Sequence, residues 1–399
     1  MRLISALQGA LFDSCVKRII LRIFISVLVL IWTTSFAFAQ DSGFATSAPH
    51  ALIMDYETGL VLFEKDARDP VAPASMTKIM TAELVFQKIR DGSLSLDTEF
   101  TVSEEAWRRG GFASGGSTMG LEVNSTVSVE NLLRGVIIQS GNDACIVLAE
   151  GIAGSETVFA DVMTEHARDI GLTSATFRNA TGWPHPEHRI STYDLGRLAE
   201  RSIRDFPEFY PIYSERDFTW NNIKQSNRNP LLGRFTGADG LKTGHTEVSG
   251  YGLVASAKRG DVRRIVVVNG LGSKSERSKE SLRLMQAAFD RFKVETLMTK
   301  NAVVGSVDVF MGQEGTVDVA PNSDIQIGYE RSIRKNVKVA MISKETVAAP
   351  IKRGDHIADL KVVVPGQSEQ IYQLFAQNNV KQKSLFGRIT SALTAKIRG

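Results

Sequence analysis

The chain has few cysteines, which cross-link small exported proteins through disulfides, and few histidines, which often bind metal ions. Its 399 residues include two cysteines and six histidines. Cys15 lies in an N-terminal segment with the layout of an export signal. Removing that segment leaves Cys145 as the single cysteine and excludes an internal disulfide. Stability must then come from packing of apolar side chains, and the 43% hydrophobic share is ordinary for a globular protein.

An excess of positive charge is also lacking. The formal net charge is +3, but residues 1–39 hold four basic residues and one acidic residue. Subtracting these from the 47 basic and 44 acidic residues of the whole chain leaves 43 of each. A balanced chain has no electrostatic reason to bind nucleic acid, so no nucleic-acid partner is expected.

The first 39 residues are typical of a secretory signal. Basic residues precede an apolar run at 23–32, and Ala37 and Ala39 frame a cleavage site. The alternative is an uncleaved membrane anchor, because residues 19–39 are just long enough to span a bilayer. We favour a signal peptide at 1–39, since the Ala-x-Ala pattern is what the peptidase requires.

The length predicts more than one domain. Residues 40–292 contain two sequences that predict β-hairpins, at 51–64 and 251–269, with helical patterns between them. This order predicts an α/β (α+β) sandwich, in which helices pack against one antiparallel sheet. Residues 293–366 instead read as a small all-β domain, because short strands alternate there without helices. The alternating apolar residues are Val303, Val307, Val309, Val317, Val319, Ile325, Ile327, Val337, Val339 and Met341.

Residues 367–399 are predicted to be a linker followed by an amphipathic helix. Leu385, Phe386, Ile389, Leu393 and Ile397 fall on one helical stripe, and no acidic residue follows Glu369. A basic amphipathic helix at a chain end is typical of a segment lying in a membrane interface. The alternative is a helix that docks on protein.

Ser75-Met76-Thr77-Lys78 is the first candidate for chemistry. Residues three apart share one face of a helix, so the Ser75 hydroxyl and the Lys78 amine can face the same cleft. Apolar surroundings would favour the neutral amine, which can take the serine proton. Alone the pattern is weak, because Ser14–Lys17 and Ser332–Lys335 match it too.

Two further motifs make the pattern specific. Ser140-Gly141-Asn142 lies between two helical patterns, and Lys242-Thr243-Gly244 precedes the second hairpin. Together with Ser75-x-x-Lys78, the set resembles that of the β-lactamases and penicillin-binding proteins. The wider stretch 239–251 strongly resembles the D-alanyl-D-alanine carboxypeptidases, the low-molecular-mass penicillin-binding proteins. The resemblance implies a β-lactamase/transpeptidase-like sandwich, a small β-domain and an amphipathic C-terminal anchor.

The resemblance implies a role for each catalytic residue. Ser75 attacks the carbonyl between two terminal D-alanines, and Lys78 accepts its proton. Ser140 and Lys242 relay a proton to the leaving amine. Asn142 holds the amide on the acyl side and orients Lys78. Which lysine carries the proton at each step stays open.

Substrate binding is implied for a second set of residues. The N–H groups of Ser75 and His245 are the expected oxyanion donors. Lys242, Thr243 and Gly244 are expected to line the pocket for the terminal carboxylate. Arg277 aligns with an arginine that the family places near this pocket, although it could also be an ordinary solvated residue.

The expected protein is therefore a serine-type carboxypeptidase acting on peptidoglycan pentapeptides and acylated by β-lactams, with no cofactor or metal. Export and the C-terminal helix predict a peripheral position on the periplasmic face of the inner membrane. Alternatives are a D-Ala-meso-DAP endopeptidase, a β-lactamase-like hydrolase and a non-catalytic peptidoglycan-binding scaffold. No Glu-x-x-Leu-Asn pattern, which a class A β-lactamase would need for deacylation, occurs between Ser140 and Lys242.

Two other features receive structural interpretations. His185 and His188 form an His-x-x-His pattern that could bind metal, but loop histidines without a third ligand are usually structural. Cys145 could approach the cleft, although a buried core thiol is the preferred interpretation.

Overall fold

The computed structural model describes residues 43–385 and 387. The predicted signal peptide at 1–39 and most of the predicted C-terminal helix lie outside the described residues. Within the described ranges, no helix is long and apolar enough to cross a membrane.

The first region runs to Asp290 and alternates helices with strands. Its helices are α1 (Lys78–Arg90), α2 (Glu104–Gly110), α3 (Val129–Arg134), α4 (Asn142–Ala153), α5 (Glu156–Asp169), α6 (Thr192–Asp205) and α7 (Lys274–Asp290). Its strands are β1 (His50–Asp55), β2 (Val61–Lys65), β3 (Glu99–Thr101), β4 (Thr126–Ser128), β5 (Asp217–Trp220), β6 (Ile223–Ser226), β7 (Ala238–Thr246), β8 (Gly250–Arg259) and β9 (Val262–Leu271).

A five-stranded antiparallel sheet in the order β2-β1-β9-β8-β7 organises this region. The two predicted hairpins supply four of its strands, and pairing of β1 with β9 joins them. The sequence does not predict β7 as a strand, because Gly240 and Gly244 interrupt its apolar pattern. The structure pairs β7 with β8 at the edge of the sheet.

Alternate residues of the central strands bury opposite faces of this sheet. Leu52 and Met54 of β1 belong to one apolar core, which includes residues of α1 and α4. Ala51 and Ile53 of the same strand belong to a second core, with Leu284 and Met285 of α7 among its members. Helices therefore cover both faces of one antiparallel sheet, and the predicted α/β sandwich is confirmed.

The second region is rich in strands, as predicted. Its strands are β10 (Phe292–Met298), β11 (Gly305–Phe310), β12 (Thr316–Ala320), β13 (Ile325–Glu330), β14 (Lys338–Ser343), β15 (Thr346–Ala348), β16 (His356–Val363) and β17 (Gln370–Ala376). Six form one sheet in the order β14-β16-β17-β12-β11-β15, and β10 pairs with β13. The predicted core positions from Val307 to Ile327 are buried, but Val303 and Val339 are 56% and 40% exposed.

The predicted end of the β-rich part at residue 366 is wrong. Strand β17 lies beyond it and pairs antiparallel with both β16 and β12. Pro365-Gly366 sits in the connection between β16 and β17 instead of ending the region. The β17 residues Gln370–Ala376 include five apolar or aromatic residues, and Leu374 and Ala376 are buried.

Candidate active site

Ser75 lies in a tight turn that feeds directly into a helix. Residues Ala74–Thr77 form one turn of 3₁₀ helix, and α1 begins at Lys78. Gly182, with a φ of +86°, packs against this turn, and a Cβ atom there would lie 1.9 Å from the Ala74 carbonyl oxygen. Only glycine allows such an approach. The loop that carries Gly182 is therefore seated on the turn that carries the serine.

The Lys78 amine is buried and surrounded by oxygen atoms. Its Nζ lies 3.1 Å from Ser75 Oγ, 2.8 Å from Asn142 Oδ1 and 2.7 Å from the Thr181 carbonyl oxygen. Burial lowers the pKa of Lys78, since the side chain is 1% exposed. A neutral amine has two protons and one lone pair. In the neutral form the two carbonyl oxygens, which can only accept, would take the two protons, and the lone pair would be left for the Ser75 hydroxyl.

Ser140 has a backbone conformation that its sequence motif does not specify. A single π-helical turn, Gly135–Gln139, follows α3, and Ser140 then adopts left-handed backbone dihedrals with a φ of 63°. π-helical turns of this kind occur often at functional sites. The turn brings Ser140 to the wall of the same cavity as Ser75, while Asn142 begins α4.

Lys242, Thr243 and Gly244 lie on the edge strand β7, which approaches the nucleophile turn closely. A Cβ atom at Gly244 would lie 2.7 Å from the Pro73 carbonyl oxygen. Lys242 is 3% exposed, and burial together with the nearby charge of Lys78 holds its pKa well below the ordinary lysine value. Its Nζ donates a long hydrogen bond of 3.4 Å to its neighbour, the Thr243 carbonyl oxygen.

One side of Ser75 opens into a cavity of about 320 Å³, here called the cationic cavity. It is lined by Ser75, Ser117, Ser140, Arg228, Thr243, Gly244, His245, Tyr251, Lys274 and Arg277. Arg277 is 5% exposed, and its Nη1 atom lies 3.5 Å from the Gly244 carbonyl oxygen. Its Nε atom is buried and has no hydrogen-bond partner among the described residues. Among the residues that the structure describes, no carboxylate lines this cavity, so its positive charges are available to an anionic ligand.

Arg228 is a site residue that the sequence analysis misses. Its guanidinium donates a hydrogen bond to Ser117 Oγ at the cavity wall. The segment that carries it is fixed by side chains on both sides: Asn227 Nδ2 donates to the Tyr213 and Glu215 carbonyl oxygens, and Asn229 Nδ2 donates to that of Gly240. No periodicity or motif marks this segment, so only the folded chain reveals Arg228.

The other side of Ser75 opens into a cavity of about 400 Å³, here called the glycine-lined cavity. It is lined by Ser75, Gly115, Gly116, Ser117, Asn142, Thr181, Gly182, Trp183, Arg228, His245 and Thr246. Four residues line both cavities and so stand at the boundary between them: Ser75, Ser117, Arg228 and His245. Within the described part of the chain, Asn142 Nδ2 has no acceptor, while its Oδ1 is used by Lys78. That amide is free to bind a ligand.

Asp143 fixes one wall of the glycine-lined cavity. Its buried carboxylate accepts hydrogen bonds from the backbone N–H groups of Met119, Gly120 and Leu121 and from Thr118 Oγ1, as well as from Ala144 of its own helix. The Ser117 carbonyl oxygen accepts from the N–H of Asn142 at 2.8 Å. The glycine-containing segment 115–121 is therefore held to the start of α4.

The cysteine and the two histidines considered in the sequence analysis do not line either cavity. Cys145 is fully buried in the core, and burial raises the pKa of its thiol to about 12. His188 is buried against Thr77, whereas His185 is exposed. Among the described residues, no group of three or more His, Cys, Asp or Glu side chains could hold a metal ion.

Two family models match the chain. A family described as D-alanyl-D-alanine carboxypeptidase matches residues 36–273, and one described as penicillin-binding protein 5, C-terminal domain, matches residues 292–382. The chain is 37% identical over 341 residues to the D-alanyl-D-alanine carboxypeptidase DacC of Escherichia coli, covering 85% of each chain.

Solved structures are similar over the same span. The D-alanyl-D-alanine carboxypeptidase DacD of Francisella tularensis is 32% identical with a TM-score of 0.75, and the match covers 85% of this chain and 95% of that one. Penicillin-binding protein D2 of Listeria monocytogenes, in its ampicillin-bound form, is 30% identical with a TM-score of 0.53. That match covers 62% of this chain and 99% of the other.

Proposed function

Because the chain belongs to the D-alanyl-D-alanine carboxypeptidase family, we propose that Ser75 removes the terminal D-alanine of peptidoglycan pentapeptides through an acyl-enzyme. The observation that carries this proposal is the position of Lys78. Its amine is buried, has a lowered pKa and lies 3.1 Å from Ser75 Oγ, where its neutral form can accept the hydroxyl proton. A serine needs such a base to act as a nucleophile at neutral pH.

Acylation begins when Ser75 Oγ attacks the carbonyl carbon of the penultimate D-alanine and its proton moves to Lys78. The oxyanion is stabilised by the backbone N–H groups of Ser75 and His245, two of the residues at the boundary of the two cavities. Collapse of the intermediate needs a proton for the leaving D-alanine amine, which Ser140 and Lys242 relay. Water then attacks the ester, and the D-alanine-shortened peptide leaves.

The cationic cavity binds the terminal carboxylate of the substrate. Arg277 and the Thr243 hydroxyl contact it, and Arg228, which lines both cavities, adds positive charge. Charged hydrogen bonds of this kind are roughly twice as strong as neutral ones. The peptide on the acyl side of the scissile bond lies in the glycine-lined cavity, where Asn142 Nδ2 donates to its amide.

Penicillin presents a strained amide and a carboxylate in the same geometry, so it acylates Ser75 as well. No carboxylate among the described residues lines either cavity. A β-lactamase needs an efficient base for deacylation, such as the glutamate of class A enzymes. The penicilloyl ester is therefore expected to be long-lived, which favours a penicillin-sensitive carboxypeptidase over a β-lactamase.

The chain's location is part of the same proposal. A signal peptide at 1–39 directs export, and a basic amphipathic helix within 367–399 holds the protein on the periplasmic face of the inner membrane. The peptidase domain spans 40–292, and the β-rich region extends to β17. Deleting residues 380–399 is expected to release the protein from sedimented membranes, and retention would contradict the anchor.

The decisive experiment offers two substrates to the purified protein. A muropeptide pentapeptide is expected to lose D-alanine, and the Ser75→Ala variant is expected to release none. Cross-linked dimers are supplied in parallel, because faster cleavage of dimers would make the protein an endopeptidase. If the wild type releases no D-alanine, or if the variant releases as much, the proposal fails.

A further inference from the structure

The loop after α5 supplies one of the three oxygens around Lys78, the Thr181 carbonyl oxygen. Hydrogen bonds within the loop hold it in place. Asn179 Oδ1 accepts hydrogen bonds from the N–H groups of Thr181, Gly182 and Trp183 at 3.2, 2.7 and 3.0 Å. Asn179 Nδ2 donates to the Trp183 carbonyl oxygen at 3.1 Å. These bonds fix the direction of the Thr181 carbonyl, which accepts from Lys78 Nζ.

His188 closes the same loop and reaches the nucleophile turn. It is 1% exposed, and its Nδ1 accepts a hydrogen bond from the Arg178 N–H at 3.2 Å. The proton of the neutral ring is therefore on Nε2, which donates to Thr77 Oγ1 at 2.9 Å. Burial lowers the pKa of His188 to about 3, so the ring stays neutral at working pH.

Thr77 lies between Ser75 and Lys78 in the sequence and is fully buried. The loop therefore contacts the nucleophile turn at two places: Gly182 packs on Ala74, and His188 binds Thr77. Thr181, whose carbonyl oxygen accepts from the Lys78 amine, immediately precedes Gly182 in this loop. A shift of the loop would move that acceptor relative to Ser75.

We propose that His188 is a positioning residue for acylation. Its Nε2–H hydrogen bond to Thr77 holds the Ala74–Thr77 turn in register with the Thr181 carbonyl, and this sets the alignment of Lys78 Nζ with Ser75 Oγ. The inference rests on the proposed function of Ser75. A misplacement of about 1 Å at reacting atoms can cost about 100-fold in rate, so the kinetic effect can exceed the strength of one neutral hydrogen bond.

Two substitutions separate the contacts of His188. In His188→Gln the terminal amide nitrogen can occupy the place of Nε2 and donate to Thr77. In His188→Asn the shorter amide reaches only the place of Nδ1, so the acceptor for Arg178 remains and the donor to Thr77 is lost. Each variant keeps one of the two hydrogen bonds, so the pair tests which bond matters.

The measurement is acylation of Ser75 by penicillin, with the rate constant of the chemical step separated from the binding constant, as a function of pH. We expect His188→Gln to stay within about 3-fold of the wild type and His188→Asn to lose about 10-fold or more in the chemical step, with binding unchanged. The rising limb of the His188→Asn profile should shift to higher pH, because a looser loop admits water and raises the pKa of Lys78 towards its ordinary value.

Three controls complete the test. His185→Asn changes an exposed histidine in the same loop and should leave rate and profile unchanged. Thr77→Ser keeps the hydroxyl, whereas Thr77→Val removes it at similar volume; the first should behave as His188→Gln and the second as His188→Asn. If His188→Asn does not fold, judged by circular dichroism, the Thr77 pair decides alone.

The double variant Thr77→Val/His188→Asn should be no slower than the slower single variant, because both changes remove one interaction. Equal rates for His188→Asn and His188→Gln, an unshifted pH limb, or additive losses would overturn the proposal. Failure of the wild type itself to be acylated would instead refute the proposed function, so the two failures are distinguishable.

Discussion

The cationic cavity and the glycine-lined cavity meet at Ser75, yet their walls are built differently. The first presents a buried guanidinium, Arg277, whose best acceptor is 3.5 Å away. The second presents backbone groups and the Asn142 amide, held by hydrogen-bond networks around Asp143 and Asn179. Among the described residues no carboxylate lines the first wall, whereas the second wall is held by these networks and leaves its Asn142 Nδ2 group open to a ligand.

The difference indicates a division of labour. A buried cation with poor hydrogen bonds gains most when an anion arrives, because its desolvation is then compensated. Connected polar networks instead gain rigidity, which keeps reacting groups aligned. Changes to the cationic cavity should therefore affect recognition of the substrate carboxylate, whereas changes to the glycine-lined side should affect the chemical step and stability.

The largest effect is expected for Lys78→Met, which removes the base and keeps the length of the side chain. Acylation by penicillin should slow about 10³-fold, within the range typical of a lost general base. In the wild type the rate should rise with pH as Lys78 loses its proton. Because burial lowers the pKa of Lys78 from the ordinary 10.5, the rise in rate should occur below pH 10.5. The Lys78→Met variant should show no such rise.

Lys88→Met is the matched control, since Lys88 lies on the same helix away from Ser75 and should leave the profile intact. A Lys78→Met enzyme that keeps both its rate and its rising limb would identify Lys242, whose pKa is also lowered, as the base. The roles of the two lysines would then be exchanged.

Arg277→Ala tests the cationic cavity and should cost about 10- to 100-fold in kcat/KM for the pentapeptide, the range of one charged hydrogen bond. The wild type should lose a similar factor when the peptide ends in an amide instead of a carboxylate. The variant should barely distinguish the two peptides, because the partner of the carboxylate is gone. If Arg277→Ala still prefers the carboxylate by the same factor, another cation binds it.

Much of the fold and most of the candidate site follow from sequence, for identifiable reasons. The two hairpins are predicted because their apolar residues alternate or run continuously, and Ser75, Ser140 and Lys242 because short motifs mark them. Strand β7 is missed because its glycines, which allow close approach to the nucleophile turn, hide its pattern. Gly244 allows β7 to approach the nucleophile turn closely, and the same glycine makes the strand hard to recognise from the sequence.

Arg228 and His188 show a second limit. Arg228 reaches the site from a segment without a motif, and His188 acts through a hydrogen bond to a residue 111 positions earlier. Sequence patterns report local spacing, whereas these contacts depend on how distant segments pack. The His-x-x-His spacing leads to a structural interpretation of both histidines alike, because spacing does not reveal that His188 is buried and His185 exposed.

The smallest kinetic effect is expected for Asp143→Asn, which weakens the wall of the glycine-lined cavity. In the asparagine side chain, an NH₂ group replaces one of the two carboxylate oxygens. That group must then face backbone N–H donors, either those of Gly120 and Leu121 or those of Met119 and Ala144, and it cannot accept from them. Leaving such donors unpaired should lower the free energy of unfolding by about 2–3 kcal/mol. The acylation rate should fall less than about 10-fold, because Asn142 and Lys78 keep their own contact.

Asp161→Asn makes the same charge change at an exposed site on α5 and should leave the unfolding free energy within about 0.5 kcal/mol of the wild type. Chemical denaturation measures both variants, and penicillin acylation at the same temperature measures the rate. If Asp143→Asn unfolds like Asp161→Asn, the buried carboxylate does not hold the loop. If it instead folds normally but loses acylation as completely as Lys78→Met, this wall takes part directly in the chemistry, and the division between a binding side and a positioning side must be redrawn.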